Sequence, residues 1–265
     1  MIEALLEVWS YEFMRNAIAA ACLVSVATGI IGVFVVVNRM VFVSGGIAHA
    51  AYGGVGLGTL LGISPVLGAF GFTLVAALLM GFVQRRAGER ADTIIGVLWA
   101  VGMALGVVFL ELAPGFQGDM SSYLFGSILM VGSSDLRWML ALDVLIVLVV
   151  ALCYRELVAV SFDESFATVR NLPVALLHII LTALIAVAIV LMMRVTGLIL
   201  VIALLTIPVA IAGWFVFDLR RMMVLAVVLG AVFNLGGLWL SYLLDLSSGA
   251  PVSVFAGAVY LLGLV

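Results

Sequence analysis

Apolar residues in this chain come in long blocks, broken by short polar or glycine-rich stretches, without the two-residue alternation of a half-buried strand. A membrane-spanning helix needs about 20 mostly apolar residues. Runs of that kind occur at 13–37, 45–63, 65–83, 93–112, 136–154, 174–193, 197–217 and 222–244. A last run, 252–265, is short; as a ninth helix it would tilt or locally thin the bilayer. A polar, glycine-containing segment at 113–122 precedes an apolar stretch at 123–131 that is too short to span. That stretch reads as a half-helix or re-entrant piece. The pattern predicts an all-α polytopic membrane protein, a bundle of eight to nine transmembrane helices forming one domain over residues 1–265.

Composition agrees with the pattern. Of 265 residues, 66% are hydrophobic and 9% are charged, and mean hydropathy is +1.41. Soluble domains carry roughly 25% charged residues. A chain this apolar cannot coat itself with polar groups in water, which excludes a soluble enzyme, a disordered chain and a nucleic-acid-binding domain.

Charge placement predicts orientation. All eleven basic residues are Arg, and eight of them (Arg39, Arg85, Arg86, Arg90, Arg155, Arg170, Arg220 and Arg221) fall in one set of connections. The positive-inside rule makes 38–44, 84–92, 155–173 and 218–221 cytoplasmic. The N-terminus, 113–135 and 245–251 then face outward, with Glu3, Glu7, Glu12, Asp119, Asp135 and Asp245 on that side. An acidic mouth raises the local concentration of cations; interfacial anchoring is the plainer role. Residues 1–12 carry three Glu and no basic residue, unlike the positive start of a signal peptide, so the first apolar run is expected in the mature protein. Cys22 and Cys153 both lie in apolar stretches and read as small hydrophobes.

Polar residues within the spans are few: Asn38, Arg39, His49, Asp143, His178 and Asn234. Each is costly in hydrocarbon and therefore a candidate for function. His49 stands in Ser44-Gly45-Gly46-Ile47-Ala48-His49-Ala50. Imidazole is the commonest transition-metal ligand, and small neighbours leave room for an ion; the alternative is a His bonded to a neighbouring helix. Asp119, beside the short apolar re-entry, suits an ion entry site. Asp245, in a segment rich in turn residues, is either a ligand or a helix cap. Gly54, Gly58 and Gly62, and Gly102 and Gly106, have the spacing that lets helices approach closely. Neither a Gly-x-Ser-x-Gly elbow nor a Gly-x-x-x-x-Gly-Lys phosphate loop is present, and the chain contains no Lys.

The 155–173 connection predicts a short helix over about 162–172. Ser161 or Asp163 would cap it, with Asp163 and Glu164 in its first turn. Phe162, Phe166 and Val169 share a face, and Asn171 and Pro173 end it. Such a helix would dock into a soluble partner's groove or lie on lipid.

Together these pieces resemble the membrane permease family of the ABC importers for zinc, manganese and iron. The resemblance runs from about Met14 to Leu262. It is carried by Ser44 to Ala50 with Gly53-Gly54, the stretch from Gly96 to Gly106, Ser122-Tyr123-Leu124-Phe125-Gly126, Asp163-Glu164-Ser165-Phe166-Ala167, Leu205-Thr206-Ile207-Pro208-Val209-Ala210 and Ser248-Gly249-Ala250. It implies the ABC importer permease fold, multi-pass in the inner (plasma) membrane of a prokaryote. It implies a homodimer surrounded by lipid, a separate cytoplasmic ABC ATPase dimer that uses the ATP, and an extracytoplasmic metal-binding protein. No cofactor resides in this chain; the divalent metal is cargo. The resemblance casts His49 and Asp119 as metal-path ligands, with Asp245 a third candidate. It makes the segment with Phe162, Asp163, Glu164, Phe166, Ala167 and Asn171 the ATPase-coupling helix. Many relatives carry an Asp just upstream of the His, where this chain has Gly45 and Gly46, and a Gly where it has Asn171. A gradient-driven secondary transporter and an ABC permease for a metal chelate are the alternatives.

Overall fold

In hydrocarbon every backbone N–H and C=O must be paired within the segment, which leaves a long apolar run the helix. A computed structural model describes residues 11–114, 126, 128–244 and 246–264, and all its regular elements among these are helical. In chain order they are α1 (Glu12–Val37), α2 (Val41–Leu60), α3 (Pro65–Arg86), α4 (Ala91–Leu112), α5 (Ser133–Leu152), α6 (Tyr154–Phe162), α7 (Glu164–Val169), α8 (Val174–Phe215), α9 (Leu219–Leu244) and α10 (Gly249–Gly263). The helices run past the apolar blocks into interfacial residues. α2 begins at Val41 rather than 45, and α3 continues through Arg85 and Arg86, whose charges suit a helix C-terminus.

Among the described residues, five helices are long and apolar enough to cross a membrane: α1, α3, α4, Val174–Met193 and α9. α5 passes the same test only together with α6, and the two are bent by 71° at Cys153, where the apolar run gives way to Tyr154, Arg155 and Glu156. α2 has 20 residues, but its glycines and His49 dilute its hydropathy. Leu200–Phe215 and α10 are shorter apolar helices. α8 is interrupted at Gly197, whose φ of 69° and ψ of 170° favour glycine. That break separates the runs expected at 174–193 and 197–217. Of the expected re-entrant piece at 123–131, only Gly126 and the short 3-10 turn Ile128–Met130 lie within the described residues.

The chain divides into two compact units: Met1–Val33 with Met120–Leu145 and Leu191–Val265, and Phe34–Asp119 with Ile146–Val190. In the first, α10 lies along α9, with Gly236 and Gly237 admitting Phe255 and Val252. The Trp214 and Tyr260 rings stack at 5.2 Å. α1 meets α9 where Gly29 faces Val227 and Gly230 faces Ser25. The buried Asn234 amide donates to the Ser25 hydroxyl at 2.9 Å, and that hydroxyl donates to the Ala21 carbonyl at 2.6 Å.

In the second unit, α2 is enclosed by α3 and α4. A Cβ on Gly53 would lie 2.7 Å from the Gly102 carbonyl oxygen, and one on Gly54 would lie 2.6 Å from the Ala69 Cα. Lipid tails are as apolar as side chains, so this attraction is close van der Waals packing, which small residues permit.

Candidate functional site

α2 places His49 on the stripe Phe42, Gly46, His49, spaced by four and three residues, facing Ile95 and Trp99 of α4. The imidazole stacks on the Trp99 indole with centroids 4.5 Å apart and planes 19° from parallel. Phe42 packs against the same indole at 5.7 Å. Met80 of α3 and Ile95 fill the space that a side chain at Gly46 would occupy; the Met80 sulfur would be 3.0 Å from its Cβ. His49 is half-buried, and its Nδ1 is buried without a hydrogen-bond partner. Ser44 donates its hydroxyl to the Val41 carbonyl at 2.8 Å, a bond local to its own helix turn.

Among the described residues, no group of three or more His, Cys, Asp and Glu comes together as a metal site. Asp119 and Asp245, the other candidate ligands, lie outside the described residues. Asp143 of α5 is buried in the first unit with neither carboxylate oxygen hydrogen-bonded. Cys22 and Cys153 are free thiols. Sequence reasoning missed Trp99 and Met80. Trp99 was legible in principle, since Ile95, Trp99 and Gly102 form a four-and-three stripe on α4; that it meets the stripe on α2 is a tertiary fact.

The expected short helix at 162–172 is α7, Glu164–Val169, and Phe162 is instead the last residue of α6. Asp163 is extended (φ −152°, ψ 100°), which breaks the two helices apart and makes it the cap: the Phe166 N–H donates to its Oδ1 at 2.9 Å. Ser161 has another partner, accepting from the Asn38 amide at 2.9 Å. At the other end Asn171 takes a left-handed φ of 56°. The Asn171 N–H donates to the Thr168 carbonyl and the Leu172 N–H to the Ala167 carbonyl, the paired closure that ends many helices. Ala167 is buried beneath, while Phe162, Phe166 and Val169 are 65%, 51% and 81% exposed. Glu164 accepts from the Arg85 guanidinium at 2.8 Å. The connections at 38–44, 84–92 and 155–173, expected on one side of the membrane, thus meet at one end of this unit.

Residues 10–265 match the ABC 3 transport family. The chain belongs to that family. It is 53% identical over 264 residues to an uncharacterized membrane protein of Synechocystis sp., covering 100% of this chain and 94% of that one. It is 33% identical over 250 residues to a manganese transport system membrane protein of Listeria monocytogenes, covering 94% and 89%. Among solved structures, PsaBC from Streptococcus pneumoniae in complex with Fab matches with a TM-score of 0.90 at 28% identity, covering 100% of this chain and 96% of that one. This ABC 3 family member is therefore an all-helical, multi-pass permease subunit of an ABC transporter, a class in which ATP hydrolysis belongs to a separate subunit.

Proposed function

We propose that this chain is the permease subunit of an ATP-driven importer of a divalent transition metal. The observation that carries the reading is the α6–α7 segment: a capped, exposed apolar knob bonded to the inner ends of α1 and α3, in a chain of the ABC 3 transport family. Phe162, Phe166 and Val169 would enter a groove on a cytoplasmic ATPase dimer, with Asp163, Glu164, Ala167 and Asn171 holding their shape. Two copies of the chain would form the pathway, and an extracytoplasmic binding protein would load it. The N-terminus lies outside, and eight or nine helices span. The relatives named for manganese favour that ion ahead of zinc or iron.

His49 is the pathway ligand, with Asp119 and Asp245 supplying carboxylates on the outer side. A transport site must bind weakly enough to release its ion, so few protein ligands serve it. Closure of the ATPase dimer would favour one access state over the other through its differential contacts with the coupling segments. A second reading, a metal-chelate permease, is favoured by Gly45 and Gly46, which leave the turn before His49 without a carboxylate.

The test is ⁵⁴Mn²⁺ uptake by vesicles holding the permease, its ATPase and its binding protein. ATP-dependent uptake that falls at least tenfold in His49→Ala, with the ATPase still bound, is expected. Uptake without ATPase that follows a proton or sodium gradient would instead establish a secondary transporter.

A further inference from the structure

Resting on that reading, we propose that Arg85 is a positioning residue for transport: through its ion pair with Glu164 it passes movement of α7 to α3, and so to the wall of α2 that holds His49. The two ends of this path are stiff. α7 is closed at its start by the Asp163 side chain and at its end by the left-handed Asn171, so a push on the exposed Phe166 and Val169 shifts it as one piece. Glu164 is its first residue, and its carboxylate meets Arg85 at the end of α3, 2.8 Å away. α3 in turn touches α2 through backbone: Gly54 faces Gly68 and Ala69, and Gly58 faces Pro65 and Gly68. Met80 fills the hollow at Gly46, three residues before His49. Backbone contacts offer no rotamers to absorb a displacement, so a shift of α3 reaches α2. Gly81 of α3 also abuts the Thr182 side chain of α8.

The pair is a connector more than a prop. Arg85 and Glu164 side chains are 32% and 52% exposed. Pairs so exposed contribute little to stability, so losing this one leaves the fold intact.

The experiment is a charge swap in the complete complex of permease, ATPase and binding protein in vesicles, reading ⁵⁴Mn²⁺ taken up per ATP hydrolysed. Arg85→Glu and Glu164→Arg alone should each lower that ratio about fivefold, and in Arg85→Glu, which leaves the docking segment itself unaltered, ATP hydrolysis should stay within about twofold of wild type. The double reversal should return the ratio to within about twofold. Arg85→Gln, which keeps a polar side chain and removes the charge, should lower it in the same direction and guards against misfolding by the reversals. An unchanged ratio in the single variants, or no recovery in the double variant, overturns the inference. Wild-type complex that takes up no metal with ATP overturns the permease reading itself, a result distinct from the failure of the swap.

Discussion

The imidazole of His49 lies flat against the indole of Trp99, 4.5 Å between centroids, so the plane of the ring is set by a neighbouring helix. Stacking fixes the plane in which the ring nitrogens lie, and the buried Nδ1 turns one of them away from solvent. Aromatic pairs contribute about 0.5–1.5 kcal/mol beyond the area they bury. Trp99→Leu should therefore raise the metal concentration for half-maximal uptake by up to about tenfold, as 1.4 kcal/mol corresponds to tenfold. Trp99→Phe, which keeps an aromatic face, should stay within about threefold. Equal values for Leu and Trp at this position would remove the stack from any account of the site.

The glycines of α2 and α3 should separate by their surroundings. At Gly54 a Cβ would lie 2.6 Å from the Ala69 backbone, and nothing rotates to relieve it. Gly54→Ala is expected to destabilise the purified protein by about 1–3 kcal/mol, the usual cost of overpacking. At Gly71 of α3 a Cβ meets nothing within 4 Å. Gly71→Ala should be neutral or stabilising by up to about 1 kcal/mol through helix propensity. Thermal unfolding in detergent distinguishes the two, and a similar loss in both would contradict the helix approach described.

Asn171 closes α7 with a φ of 56°. Asn171→Gly should leave the segment intact, since glycine adopts this conformation freely. Asn171→Ala places a Cβ in the left-handed region at a cost of about 1–2 kcal/mol. The loss should appear as weaker recovery of the ATPase with the permease, because the end of α7 would fray. Equal recovery with Ala and Gly would show that the closure does not matter for docking.

The two free thiols should report sidedness. Cys153 sits half-exposed at the bend between α5 and α6, beside Tyr154 and Arg155. Cys22 is exposed on α1 within the apolar run of that span, where surrounding lipid keeps a water-soluble reagent away. A membrane-impermeant maleimide is expected to label Cys153 in inverted vesicles and not in intact cells. Labelling only from outside would reverse the proposed orientation.

The α6–α7 segment shows how far local pattern reaches. Asp163, Phe166, Val169 and Asn171 announced a capped, one-faced turn from their identities and spacing, because caps and helix faces depend on residues a few positions apart. The choice of Asp163 over Ser161 as cap was not legible. Ser161 lies inside α6, where its hydroxyl donates to the Leu157 carbonyl and accepts from Asn38, 123 residues away. The ion pair of Glu164 with Arg85, 79 residues apart, is of the same kind.

Sequence alone determined that this chain lives in a bilayer as helices, near which residues most of them begin and end, and that His49 is among the few polar side chains within them. Hydrocarbon imposes those outcomes on any run of about 20 apolar residues, whatever its neighbours. Only tertiary structure decided that α2 is the enclosed helix of its unit, that Trp99 and Met80 flank the stripe carrying His49, and that Arg85 reaches Glu164. Those depend on which glycine faces which backbone, and the four-residue spacing of small residues permits close approach without naming the partner.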